Sequence, residues 1–157
     1  MKLRKYKQTD CAEIATLFYN TVHAVNAQDY TKAQLNAWAT GEIDISVWDK
    51  TFSEHNTLIA EDAGIIVGFG DMDGNGYLDK LFIHKDYQNR GIATTILNEL
   101  ECQALLHNIF RFTTHASITA KPFFERCGYK TLTKNIVVRQ GIELTNFTME
   151  KHCTKER

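Results

Sequence analysis

The sequence predicts an α/β (α+β) fold: a mixed, mostly antiparallel central sheet with one parallel pair of strands and helices on both faces. Three β-rich apolar runs in the middle of the chain are separated by the turn signals Asp62-Ala63-Gly64 and Asp73-Gly74-Asn75-Gly76, the mark of a meander. A long helical pattern then leads directly into another strand, and a strand–helix–strand passage joins parallel neighbours. Helical periodicity also precedes the meander, which supplies helices for both faces of the sheet.

Residues 2–6 read as a short strand. Thr9 or Asp10 is placed to cap a helix whose apolar face runs Ile14, Leu17, Phe18, Val22. Thr31 opens a second short helix carrying Leu35 and Trp38, and residues 42–54 read as loop or broken helix. Strands follow at 57–61, 65–71 and 77–83. The helix expected over 91–107 aligns Ile92, Ile96, Leu97, Leu100, Ala104 and Leu105 on one side. Next come a strand at 110–115, a helix at 120–127, and strands at 129–139 and 142–150 joined at Gln140-Gly141. Pro122 falls in the first turn of its helix, where a missing N–H costs little. The order is β-α-α-β-β-β-α-β-α-β-β. With one proline and no linker or repeat, residues 1–157 are expected to form one domain.

Of 157 residues, 43% are hydrophobic and 24% charged, the balance of a chain that buries a core. Lysine and arginine (18) nearly cancel aspartate and glutamate (19), so net charge offers no footprint for nucleic acid or an anionic membrane. The charged start of the chain has no apolar segment after it and does not read as a signal peptide. No apolar stretch approaches bilayer length. Cys11, Cys102, Cys127 and Cys153 lack metal-ligand spacing, and no histidine pair has helical spacing for a metal. Reduced thiols, a cytoplasmic location, no metal, and a monomer or homodimer are the expectations.

The junction after the third meander strand carries the chemistry. Leu81-Phe82-Ile83 runs into His84-Lys85-Asp86-Tyr87 and then Gln88-Asn89-Arg90-Gly91-Ile92-Ala93-Thr94, where the long helix begins. A helix start exposes unpaired N–H groups and partial positive charge, which suit phosphate. Gly91 removes a Cβ from that approach, Ala93 stays small, and Thr94 and Thr95 add hydroxyls. A glycine at a helix start also has a purely structural reading, and a G-x-G-x-x-G dinucleotide loop is absent.

Leu81-Phe82-Ile83 followed by Gln88-x-x-Gly91-x-Ala93 resembles the Q/R-x-x-G-x-G/A signature of the GNAT superfamily of N-acetyltransferases. Ser117-x-x-Ala120-x-x-Phe123-Phe124-x-x-Cys127-Gly128-Tyr129 resembles the family's later A-x-x-F-Y-x-x-x-G-F segment, and the element order resembles that fold from end to end. The resemblance implies a splayed parallel pair and an enzyme that uses acetyl-CoA as cosubstrate. It implies direct acetyl transfer to a primary amine of a small molecule, peptide or protein. Gln88, Asn89, Arg90, Gly91, Ala93 and Thr94 would hold the pyrophosphate, chiefly through main-chain N–H groups. Phe82 and Ile83 would offer main-chain hydrogen bonds to the pantetheine arm and acetyl carbonyl, with Ser117 and Phe124 flanking the arm's far side.

Many members of the family carry tyrosine where this chain has Phe124, and phenylalanine cannot protonate a departing thiolate. Either Tyr129 or another hydroxyl reaches the sulfur, or coenzyme A leaves as thiolate and takes a proton from solvent. Asp79 on the central strand is the candidate base, with Glu61 and Asp71 on neighbouring strands and His84 and His115 at strand ends as further titratable groups. His23, Tyr30 and Trp38 are candidate acceptor contacts, together with Asn26 and Asp29, since aromatic faces suit a cation. Tyr30 and Trp38 also have a plain core-packing reading. The rival function is a non-catalytic acyl-CoA-binding sensor or interaction module, to which Phe124 lends weight.

Overall fold

A computed structural model describes residues 1–154. Seven strands form one sheet: β1 (Lys2–Lys5), β2 (Asn56–Asp62), β3 (Ile65–Met72), β4 (Tyr77–Ile83), β5 (Arg111–Ser117), β6 (Lys130–Arg139) and β7 (Ile142–His152). Their spatial order is β1-β2-β3-β4-β5-β7-β6. Every pairing is antiparallel except β4 with β5. The helices are α1 (Cys11–Ala24), α2 (Lys32–Trp38), α3 (Ile45–Glu54), α4 (Ile92–Leu106) and α5 (Lys121–Arg126), with short 3₁₀ turns at Gln8–Asp10 and Asn26–Gln28.

Alternation along the strands divides the core in two. On one face α4 lays Ile96, Leu97 and Leu100 against Ala60, Val67, Leu78, Phe112 and Met149. Gly68 and Gly70 let it approach: a Cβ on Gly68 would lie 3.2 Å from Ile96 Cδ1, and one on Gly70 would lie 3.0 Å from Ile96 Cγ2. The other face is covered by α1, α2 and α3, with Ile14, Phe18, Val22, Leu35 and Phe52 packed on Ile59 and Phe69. Among the described residues no helix is long and apolar enough to cross a membrane.

The residues explain the helix starts. Thr31 and Gln34 form a reciprocal capping box on α2. Two expectations change. Residues 42–54 hold a full helix, α3, because Asp44 accepts hydrogen bonds from the Ser46 and Val47 N–H groups and Phe52 drops into the core. Trp48 and Phe52, four residues apart, supply its inner stripe; the charges between them hide the period. Asp10 does not cap α1 with its side chain. It is buried, accepts from the Lys7 N–H at 2.8 Å, and pairs with the Arg4 guanidinium at 2.8 and 2.9 Å. That pairing holds the Asp10 carboxyl below its usual range despite burial.

Candidate active site

The parallel pair is short. Only Tyr77 with Thr113 and Leu78 with Thr114 are in register, so β4 and β5 part beyond those residues. β5 is held on its other side by β7 along its whole length, from Arg111–His152 to Ser117–Asn146. β4 is shifted by a bulge: Lys80 pairs with Asp71 and Leu78 with Met72, which leaves Asp79 over. The parting opens into a cleft of about 1420 Å³ between α1, α4, α5 and the β6–β7 hairpin. Small-molecule pockets typically run to about 300–1,000 Å³, so this one has room for a long ligand and a second molecule.

One end of the cleft is the start of α4. Gly91 caps it at φ +77° with no side-chain cap, and no acidic residue lies in the first turn. The first intrahelical bond runs from the Thr95 N–H to the Gly91 carbonyl at 3.1 Å, so the N–H groups before it have no partner within the helix. Gln88, Asn89, Gly91, Ala93 and Thr94 all line the cleft. Asn89, at φ +61°, turns the chain into the helix. The side chain of Arg90 folds back instead, donating to the Asp86 carbonyl at 3.3 Å and lying over the Tyr87 ring at 4.7 Å. The Arg90 side chain is not among the residues that line the cleft.

The register corrects one expected donor. The His84 N–H bonds to the Val67 carbonyl at 2.9 Å, and the antiparallel ladder alternates. Phe82 therefore turns its main-chain groups toward β3, and Leu81 and Ile83 turn theirs toward the parting. Leu81 was not foreseen, since no local pattern tells which residues of a strand face which neighbour. The Ile83 carbonyl accepts from the Thr21 hydroxyl at 2.9 Å and from Gln88 Nε2 at 2.7 Å, and its N–H faces the slot. Phe82 contributes its ring to the opposite wall, edge-on to Phe18 at 4.9 Å.

Across the slot, Ser117 Oγ accepts from the Ala120 N–H at 3.0 Å, and the Asn26 amide approaches it at 3.5 Å. Phe124 lines the cleft beside it, 4% exposed. Tyr129 does not belong to the cleft. It is 2% exposed on the α4 side, and its hydroxyl donates to Glu101 Oε2 at 2.6 Å. Lys151 pairs with the other Glu101 oxygen at 2.7 Å. Burial, above all, pushes the Tyr129 hydroxyl far above its ordinary value. It is a structural phenol, unable to reach a thiolate in the slot.

The wall of the cleft on the α1 and α2 side is aromatic and polar. Trp38 lines the cleft, edge-on to Tyr30 at 5.4 Å. The Tyr30 hydroxyl is used up, donating to the Thr145 carbonyl at 2.7 Å and accepting from the Ile118 N–H at 2.9 Å. Tyr30 thus ties the β6–β7 hairpin to the end of β5, and only its ring faces the cleft. His23 is not at the cleft: it donates from Nε2 to the Ala39 carbonyl at 2.8 Å and stacks on Tyr19. It is a strut between α1 and the end of α2.

Asp79 lines the cleft with its carboxylate on Lys80 Nζ at 3.0 Å. Behind it, fully buried Asp71 accepts from His55 Nδ1 at 2.8 Å and from the Lys80 N–H at 3.0 Å. Burial pushes the Asp71 carboxyl up, and the bond to Asp71 raises His55 in turn. His55, Asp71 and Asp79 bring one ligand atom each within 4.8 Å of one another. Protein donors already occupy both carboxylates. A further pair, which the sequence did not suggest, lines the cleft: the Tyr77 hydroxyl lies 2.9 Å from His115 Nδ1.

A model of the acetyltransferase (GNAT) domain matches residues 26–151. The chain belongs to the GNAT family. It is an N-acetyltransferase of that family. It is 33% identical over 149 residues to the uncharacterized N-acetyltransferase YafP of Escherichia coli (strain K12), covering 95% of this chain and 94% of that one. Its fold superimposes on a GCN5-related N-acetyltransferase from Rhodopseudomonas palustris with a TM-score of 0.92 at 34% identity, over 96% and 94% of the two chains. The PaiA N-acetyltransferase of Thermoplasma acidophilum, solved in complex with coenzyme A, shares the GNAT fold at a TM-score of 0.80 and 16% identity, over 96% and 98%.

Proposed function

We propose that residues 1–157 act as a single domain that binds acetyl-CoA and passes its acetyl group directly to a primary amine of a small molecule, peptide or protein. One observation carries this reading: the uncapped first turn of α4 opens on the cleft where β4 and β5 part. Four consecutive amides there, from Gly91 to Thr94, have no helical partner and match two linked phosphates. A Cβ on Gly91 would meet nothing within 4 Å, so the space beside it is open to a ligand. A relative solved with coenzyme A and another solved with acetyl-CoA support that choice of ligand.

Acetyl-CoA supplies the acetyl group as a thioester. The protein's part is to hold and orient. Gln88, Asn89, Arg90, Gly91, Ala93 and Thr94 seat the pyrophosphate, with Arg90 acting through its main chain. The Leu81 and Ile83 N–H groups face the slot and hold the thioester carbonyl oxygen as it gains charge. Ser117 and Phe124 bound the arm on the β5 side. Trp38, Phe82 and the Tyr30 ring wall the acceptor, and Asp79 draws its ammonium toward the slot. Since Phe124 has no hydroxyl and Tyr129 faces Glu101, the coenzyme A thiolate takes its proton from solvent or the acceptor nitrogen.

Calorimetry with acetyl-CoA, followed by coenzyme A release over a panel of amines, tests the proposal. Binding with amine-dependent release is expected. Binding without release on any amine would support a sensor instead.

A further inference from the structure

His115 stands where β4 leaves β5. Thr114 is the last β5 residue paired to β4, and His115 is the next. Phe112, Thr114 and Ala116 are buried toward α4, so Thr113, His115 and Ser117 point the other way, into the acceptor side. His115 is exposed there and lines the cleft. Tyr77 faces it from β4, edge-on at 5.5 Å between rings, with its hydroxyl 2.9 Å from Nδ1. Burial first, then the charges of Asp79 and Asp71, push the Tyr77 hydroxyl up to about 12. Tyr77 is therefore a neutral phenol at any pH where amines are acetylated. When Nδ1–H donates to the phenol oxygen, Nε2 presents its lone pair to the cleft.

We propose that His115, held by Tyr77, accepts the proton of the acceptor ammonium. This rests on the acetyl-transfer reading above. The N–H bond breaks and its proton goes to His115 Nε2. The freed lone pair forms a C–N bond to the thioester carbonyl carbon, and the C–S bond breaks with its electrons on sulfur. The second proton shed by nitrogen goes to that thiolate, and the imidazolium returns its own to water. The products are an amide, coenzyme A thiol and one proton.

The other candidate bases are engaged, and of them only Asp79 lines the cleft. Asp79 carries Lys80, Asp71 carries His55, and His84 Nδ1 accepts from the Asp86 N–H at 3.0 Å. Around His115, β7 supplies Thr148 opposite it and Glu150 opposite Thr113, and Glu150 is paired with Arg111 of β5 at 2.9 Å. From β6, the charge of Arg139 reaches Tyr77. Among the described residues, only the Tyr77 hydroxyl is hydrogen-bonded to the His115 ring.

The test is the pH dependence of kcat/KM with acetyl-CoA and the best amine of the panel, for the wild type, His115→Gln and Tyr77→Phe. Coenzyme A affinity is measured on the same preparations. His115→Gln is expected to lose about 10²-fold in rate at neutral pH, the scale of one general base. It should regain rate at high pH, where the amine is already free, with coenzyme A affinity unchanged. Tyr77→Phe, a positioning change, should shift the acidic limb of the profile. A wild-type rate and profile in His115→Gln would overturn the inference alone. Equal loss of coenzyme A affinity would overturn it too, by assigning His115 to the cofactor. A wild type that turns over no amine would overturn both readings.

Discussion

Gly91 occupies φ +77° at the start of α4, a conformation that costs an L side chain roughly 1–2 kcal/mol. The space around it is open, so a large side chain there fills the cleft and strains the fold only locally. Gly91→Trp should weaken coenzyme A binding at least about 100-fold, or about 2.7 kcal/mol, and keep cooperative thermal unfolding. Unchanged affinity by calorimetry would remove the loop assignment. Tyr129 makes the opposite case. Tyr129→Phe leaves Glu101 with one buried oxygen unpaired and should cost about 1–3 kcal/mol in urea denaturation, with kcat untouched. A loss of kcat at unchanged stability would return Tyr129 to the chemistry.

At the scale of the element, local signals mostly succeeded. The cap at Thr31, the glycine turns of the meander and the apolar face of α4 are short-range patterns, and each marks its element to within a residue or two. α3 was missed because its inward residues Trp48 and Phe52 are flanked by Asp49, Lys50 and Ser53, which blur the helical period. Its start depends on Asp44, whose side chain satisfies two N–H groups. Asp44→Ala should lower the unfolding midpoint, and Phe52→Ala should lower it further, at a cost of about 3–5 kcal/mol. The positions of Phe82 and Asp79 were harder still. Which main-chain groups face the slot depends on the β3–β4 register and its bulge, and register is a property of two strands together. Tyr77 with His115, and Tyr129 with Glu101, meet across 38 and 28 residues. No local spacing encodes such meetings.

The described chain is a sheet that parts in the middle, with a layer of helices on each face. α4 presents amides without helical partners on one side, and α1, α2 and the β6–β7 hairpin frame an aromatic wall on the other. Beneath that wall the His55–Asp71 pair links stability to pH. His55 is raised above its ordinary value of about 6.5, so the folded state holds more protons than the unfolded state between that value and the raised one. The stability it adds is present below pH about 6.5 and is lost as pH rises through the raised value. Asp71, raised by burial, contributes the same sign in the acid range above about 3.9. His55→Gln should flatten the dependence near neutrality, read as the urea midpoint against pH. An unchanged slope would separate His55 from it.

In the proposed function, main-chain amides at the start of α4 hold two linked phosphates. Titrating coenzyme A into the isotope-labelled protein and following backbone amide resonances tests it most directly. Gly91, Ile92, Ala93 and Thr94 should shift most and move downfield as their N–H groups gain an anion. Resonances that stay still at these four positions while others move would place the cofactor elsewhere and contradict the account.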